Sequence, residues 1–143
     1  GHFGTKGRVC SKPVGLIDLY PTMLEMCGLP ENKKNEGMSL VPLLRNPSRE
    51  WRFAVLTTYA RKNHALRSER YRYLRMEDGT EEFYDHRNDP NEWTNLAGEK
   101  SLEGEINQFR ASLPKTDAPY HPSVRSPPIN AWFKEHLTRN GLK

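Results

Sequence analysis

The dipeptide Asp78-Gly79 constrains what this chain can fold into more than any other feature. Tyr71, Tyr73, Leu74 and Met76 precede it, and Phe83 and Tyr84 follow. An Asp-Gly pair between β-prone runs is a strong short-range hairpin signal, because a type I′ turn needs positive φ at both central positions. The spacing predicts two strands within the stretch 68–98, joined by a turn at Glu77-Asp78-Gly79-Thr80 and followed by a polar loop closed by Asp89-Pro90. Upstream, Phe53 to Ala60 alternates and is rich in Val, Thr and Tyr, which reads as a strand. Arg61-Lys62-Asn63 reads as a turn and His64 to Glu69 as a second strand. Four short strands at such close spacing imply an antiparallel meander.

The flanks of the sheet read as helical. Ile17, Tyr20, Leu24 and Cys27 fall at helical spacing, with Leu16 and Met23 beside them. Pro21 splits the run, so a short turn over Leu16–Tyr20 and a helix beginning near Pro21 are expected. Gly28 and Pro30 supply its stop. This apolar face needs something large to pack on, and the chain offers only one small sheet. Ser39 is a candidate N-cap for a helix from Leu40 to Leu44. Leu102, Ile106, Phe109 and Leu113 form a stripe on a helix predicted for Glu99 to Leu113, which would cover one face of the sheet. Pro114 to Pro128 is proline-rich and reads as extended, with a last helical turn over Ala131–Leu137 anchored by Trp132 and Phe133. The expectation is an α+β fold: a small four-stranded antiparallel sheet with a covering helix.

The bulk properties exclude more than they select. The chain has 143 residues, 35% of them hydrophobic, and a mean hydropathy of −0.87, polar for a free-standing domain and indicative of much surface or tail. A formal charge of +4 suits an anionic ligand but also an ordinary solvated surface. Cys10 and Cys27 form no CxxC, and a bond between them is left open. No apolar run reaches the length of a membrane span. No stretch reads as a signal peptide, and the chain opens on Gly1-His2-Phe3 without a Met.

Metal and nucleotide chemistry find little to stand on. Gly1, Gly4 and Gly7 are followed by Arg8-Val9, not by the Gly-Lys-Ser/Thr of a phosphate loop. Asp85, Asp89 and Glu92 resemble a calcium loop only in composition, since Arg87 stands where a ligand should be. No two of the five histidines, His2, His64, His86, His121 and His136, are spaced three or four residues apart. The basic and aromatic content of residues 59–75 carries no nucleic-acid-binding pattern. His64 is the histidine to follow. It ends Tyr59-Ala60-Arg61-Lys62-Asn63-His64, a turn whose cationic and hydrogen-bonding groups suit a sulfate or carboxylate.

Four segments in order bring a family into view. Residues 13–30, PVGLIDLYPTMLEMCGLP, resemble the "pV.l.DlyPTl.el.Glp" segment of the sulfatases. Residues 37–44, GMSLVPLL, are similar to their "G.SL.PLL". Residues 67–73, RSERYRY, resemble their "R...yKYi" strand, and residues 82–96, EFYDHRNDPNEWTNL, resemble their "eLYD...DP.E..NL". The likeness runs from residue 9 to about 98. The Tyr59–His64 and Arg67–Tyr73 stretches look most like iduronate-2-sulfatase-type members.

The resemblance is to the C-terminal part of that family alone. It implies that residues 1–50 are the tail end of a larger α/β domain missing from this chain, that 51–113 form the antiparallel-sheet subdomain, and that 114–143 are an extended tail with a short helix. A whole sulfatase carries a Cys or Ser in C/S-x-P-x-R, oxidised to formylglycine, and a calcium site, both in its N-terminal domain. Here Ser11-Lys12-Pro13-Val14-Gly15 and Ser112-Leu113-Pro114-Lys115-Thr116 lack the final Arg. No nucleophile and no metal ligand carry over, so this chain alone is expected to be inactive and to bind no cofactor. Its expected contribution is scaffold and pocket rim, with Arg61, Asn63, His64 and Arg67 as substrate contacts. Expected partners are the missing N-terminal domain and a sulfated carbohydrate, not nucleic acid or membrane. The compartment is left open: a periplasmic, secreted or lysosomal one is suggested by family habit alone. The competing readings are a stand-alone, non-catalytic module for anionic glycans and a small basic nucleic-acid binder.

Overall fold

A computed structural model of the chain describes residues 7–119 and 139. The helical turn expected at Ala131–Leu137 lies outside the described residues, as does most of the proline-rich tail. Four strands, β1 (Val55–Thr58), β2 (His64–Arg67), β3 (Tyr71–Arg75) and β4 (Glu81–Asp85), pair antiparallel in the order of the sequence. Leu56, Leu66, Tyr73 and Phe83 are register partners across the sheet and therefore share one face.

That face is covered by α3 (Glu103–Ala111), which follows a 3-10 turn at Lys100–Leu102. Ile106 is fully buried among Leu66, Tyr73 and Phe83, with Leu102, Phe109 and Leu113 packed around it. The predicted stripe thus does cover the sheet. Tyr71 stacks on Phe83 at 4.8 Å between centroids, and Phe109 meets Phe83 edge-on at 5.5 Å. Such geometries add to the apolar burial of the rings. The Tyr73 hydroxyl donates to Glu81 Oε1 at 2.7 Å, and burial first, then this bond, raises its pKa to about 12. Glu81 is in turn held by Arg110 of α3, so helix and sheet are tied by charge as well as packing.

The hairpin turn differs from the expected type. Among Asp78 and Gly79 only Gly79 has positive φ, at 87°. Gly79 N–H donates to Met76 C=O and Met76 N–H donates to Thr80 C=O. This is a three-residue loop, a type I turn closed by a left-handed glycine. Asp78 stays right-handed because its carboxylate accepts the Thr80 N–H at 2.9 Å, a bond that also lowers its pKa. Two strands are shorter than predicted. β2 stops at Arg67 because the Ser68 hydroxyl takes the Tyr71 N–H and begins the next turn.

The N-terminal segment begins with a 3-10 turn at Leu16–Asp18 and continues as α1 (Leu19–Met26), two residues ahead of the start expected at Pro21. Pro21 falls in the first turn, where its lacking N–H costs nothing. Gly28, at φ 67°, is the left-handed stop. The short helix α2 (Val41–Arg45) starts one residue later than predicted, and Ser39 Oγ accepts the Val41 N–H.

Two side chains clasp these pieces. Asp18 accepts from Gly15 N–H at 2.8 Å and Met38 N–H at 2.9 Å. Thr22, the one buried residue of α1, accepts from Leu40 N–H at 2.8 Å. Gly37 permits the closure, since a Cβ there would lie 2.2 Å from the Ile17 carbonyl oxygen. The apolar side chains of this segment are not covered among the described residues: Leu16 is 87% exposed, and Ile17, Leu19, Tyr20, Met23 and Leu29 are each more than half exposed.

Candidate functional site

The turn between β1 and β2 gathers three of the four sequence-predicted residues. Tyr59 N–H donates to Asn63 C=O and closes it. Ala60 and Lys62 both lie in the left-handed region, at φ 53° and 61°. Neither is glycine, so each holds a conformation that an L side chain resists. Strain of this kind survives only where the surroundings impose it, and it concentrates at functional sites.

Asn63, His64 and Asp117 make the hydrogen bonds within and around the turn. Asn63 Nδ2 donates to the Arg61 carbonyl at 2.9 Å, while its Oδ1 accepts the Glu77 N–H at 3.2 Å and ties the turn to the β3–β4 loop. His64 is 7% exposed. Its Nε2 lies 3.0 Å from Asp117 Oδ1 and its Nδ1 3.0 Å from Thr58 Oγ1, its register partner. A carboxylate only accepts, so Nε2 carries the proton. Asp117 Oδ1 also accepts the Lys62 N–H at 3.3 Å.

The Arg61 side chain stands apart from this bracing. It is half-buried between the two left-handed residues. Its Nε is buried and makes no hydrogen bond, and no acid pairs with it among the described residues. A guanidinium N–H held out of water without an acceptor is costly, and an anion relieves that cost. Beside the turn a cleft of about 460 Å³ is lined by Lys62, His64, Arg75, Arg110, Lys115 and Asp117 among others.

Arg67 is not brought to this group. It lies on the sheet face turned away from α3, directly opposite Arg72 in register. Like charges so placed repel. Arg72 is balanced by Glu92 at 2.8 Å, a carboxylate shared with His86. Burial pushes Glu92 up, but the hydrogen bonds from Arg72 and His86 outweigh it, so its pKa is lowered. Arg67 donates to the Tyr71 carbonyl at 3.4 Å, and no acid forms a salt bridge with it among the described residues. Burial lowers its pKa; Glu92 works against that and Arg72 adds to it.

Sequence reasoning did not find Asp117, because nothing local marks an aspartate in an extended segment as the partner of a turn 55 residues away. It also left His86 unassigned, and its partner Glu92, at φ 59°, is a third left-handed non-glycine residue. Asp85, Asp89 and Glu92 do not converge. Asp85 is forked by Arg70 at 3.0 and 2.7 Å, Asp89 caps Thr94 N–H, and Glu92 holds Arg72 and His86. Among the described residues no three His, Cys, Asp or Glu side chains are grouped to hold a metal ion. No described helix is long and apolar enough to cross a membrane.

Comparison with known proteins decides the family. The family described as N-sulphoglucosamine sulphohydrolase, C-terminal, matches residues 4–118. The chain belongs to this family of sulfatase C-terminal domains. A sulfatase of Formosa agariphila is 39% identical over 138 residues, covering 96% of this chain and 27% of that protein. Arylsulfatase K of Gallus gallus is 32% identical over 110 residues, covering 64% of this chain and 20% of that protein. A solved 2-O GAG sulfatase superposes with a TM-score of 0.51 at 24% identity, over 88% of this chain and 26% of that one, and so shares the fold. The sulfatase C-terminal domain described here therefore spans about a quarter of the length of the relatives it matches. Set against that family, the Asp18 and Thr22 of the "DlyPT" segment and the Gly37 of "G.SL.PLL" have structural explanations in this chain: they are the clasp and the close approach of the N-terminal segment.

Proposed function

We propose that this domain completes a sulfuric ester hydrolase acting on sulfated sugars, with the Tyr59–His64 turn forming part of the substrate-pocket rim. The observation that carries the reading is Arg61: a guanidinium with a buried, unpaired Nε, set between two strained residues. Its planar fork suits the oxygens of a sulfate or a uronate carboxylate. Asn63 and His64 serve it by fixing the turn, and either reaches substrate itself only by exchanging a bond that it holds here. Arg67, opposite Arg72 on the other face and sharing the field of Glu92 with it, is proposed as a separate anion contact. The finer likeness of the Tyr59–His64 and Arg67–Tyr73 stretches to iduronate-2-sulfatase-type members supports a 2-O-sulfated uronate as the substrate.

The nucleophile and the calcium of the reaction would come from the rest of the polypeptide, where a C/S-x-P-x-R motif is expected. The apolar face of the 3-10 turn and α1, left exposed among the described residues, favours this over a stand-alone glycan-binding module, which would have to cover that face itself. The test is kinetic, in the intact enzyme, on a disaccharide bearing a 2-O-sulfated uronate. Arg61→Ala is expected to raise KM about tenfold while kcat changes little, the signature of lost uniform binding. Unchanged kcat/KM in Arg61→Ala, Asn63→Ala and His64→Ala alike would remove the turn from the pocket.

A further inference from the structure

Asp117 lies outside the sheet, beyond the C-terminus of α3, yet one of its oxygens meets the rim turn at two points. Oδ1 accepts from His64 Nε2 at 3.0 Å and from the Lys62 N–H at 3.3 Å. Both donors need it. The His64 ring is buried, and its other nitrogen is already engaged with Thr58. The Lys62 amide belongs to a left-handed residue in a turn, outside the ladder of strand pairing. Removing the acceptor strands a buried imidazole N–H and frees an amide whose residue is already strained.

We infer that Asp117 is the positioning residue of the Arg61 turn: a single carboxylate oxygen, delivered by the segment after α3, locks Lys62 and His64 and so fixes where the Arg61 guanidinium stands. The inference rests on the reading that Arg61 contacts substrate, but the lock itself is a claim about this domain and is judged separately. Lys62 and Lys115 line the same cleft, so the carboxylate also lies in a locally cationic setting. The bracing is shared with Asn63, which holds the other side of the turn through Arg61 C=O and Glu77 N–H. Asp117 differs from Asn63 in coming from a distant part of the chain. It therefore ties the rim to the end of α3.

The experiment uses the intact sulfatase and two readouts. Hydrogen exchange of the segment 59–65 tests the lock. Asp117→Ala is expected to speed exchange there about tenfold, with β3, β4 and α3 unchanged, as befits one unmade buried hydrogen bond. Kinetics on the sulfated sugar test its use. Asp117→Ala is expected to raise KM about fivefold with kcat within about twofold, and to add nothing further in an Arg61→Ala background. Asp117→Asn keeps an acceptor oxygen for both donors and is expected to restore both readouts. Should Asp117→Ala fail to fold, Asp117→Ser, too short to reach both donors, is measured in its place. Unchanged exchange in the turn, or loss of protection throughout the domain, overturns the lock. A normal KM in Arg61→Ala instead overturns the rim reading, and the exchange result still decides the lock.

Discussion

Ala60 and Lys62 hold their left-handed backbone without being glycine, and that choice has an energetic cost. An L residue there loses about 1–2 kcal/mol relative to the right-handed region. Glycine removes the clash but adds disorder to the unfolded chain, so part of the gain is returned. Ala60→Gly and Lys62→Gly are each expected to stabilise the intact protein by about 0.5–1 kcal/mol, read as an upward shift of the denaturation midpoint. A loss of stability in both would mean that the turn is not left-handed at these positions. Little of this was legible in the sequence. Tyr59 to His64 could be read as a turn with cationic character, because composition carries that much. The backbone sign at residues 60 and 62 could not, since neither residue type asks for it. The roles of Asn63 and His64 as braces were likewise hidden, because their partners Glu77 and Asp117 are distant in sequence.

The β3–β4 hairpin is where sequence and structure agree best, and its closed end shows the limit of the agreement. Alternation and the Asp-Gly pair fixed its position. They did not fix the turn type, because one right-handed Asp78 held by its own carboxylate is enough to convert a two-residue turn into a three-residue loop. At the open end the hairpin is pinned by Arg70 and Asp85. Asp85 is buried, and the Arg70 fork chiefly, with help from the Arg87 and Asn88 donors, holds its pKa at about 2 against an ordinary 3.8. A depressed carboxylate stabilises the fold fully above its unfolded pKa, and the contribution is lost as pH falls through the folded value. The stability of the protein is therefore expected to drop between about pH 4 and about pH 2, and the difference between wild type and Asp85→Asn to close over that window. Denaturation midpoints of the two proteins at several acidic pH values check this. A difference that stays constant through the window would assign the stabilisation to something other than the ionised Asp85.

At the scale of the molecule, the described chain has one well-covered face and one that is not. The helical stripe Leu102, Ile106, Phe109 and Leu113 was readable from its spacing because a stripe on a regular helix repeats in the sequence. The same rule on residues 16–27 gave a second stripe, and here Ile17 and Tyr20 are left more than half exposed. Periodicity reports that a face wants covering; it does not say by what. The family relation supplies the context, since the relatives are about four times as long as this chain. An apolar surface of this kind drives association when left bare. Replacing Leu16, Ile17 and Met23 together with polar residues is expected to make the isolated chain more monodisperse in light scattering, and to lower the melting temperature of the intact sulfatase. An intact enzyme indifferent to the triple substitution would show that this face meets nothing in the whole protein.

The lock at Asp117 bears on how such a domain can be re-engineered. A graft of residues 59–64 onto another sulfatase scaffold would transfer the arginine but leave behind the oxygen proposed to aim it, because that oxygen arrives from residue 117. The transferable unit is discontinuous: the turn, the β3–β4 loop that meets Asn63, and the segment leaving α3. Cutting the chain between Ser112 and Asp117 would leave sheet and helix joined by their own core while uncoupling the Tyr59–His64 turn from the end of α3. Specificity exchanged by loop swapping alone would then be expected to come with loosened affinity, recovered when the distant aspartate is carried along.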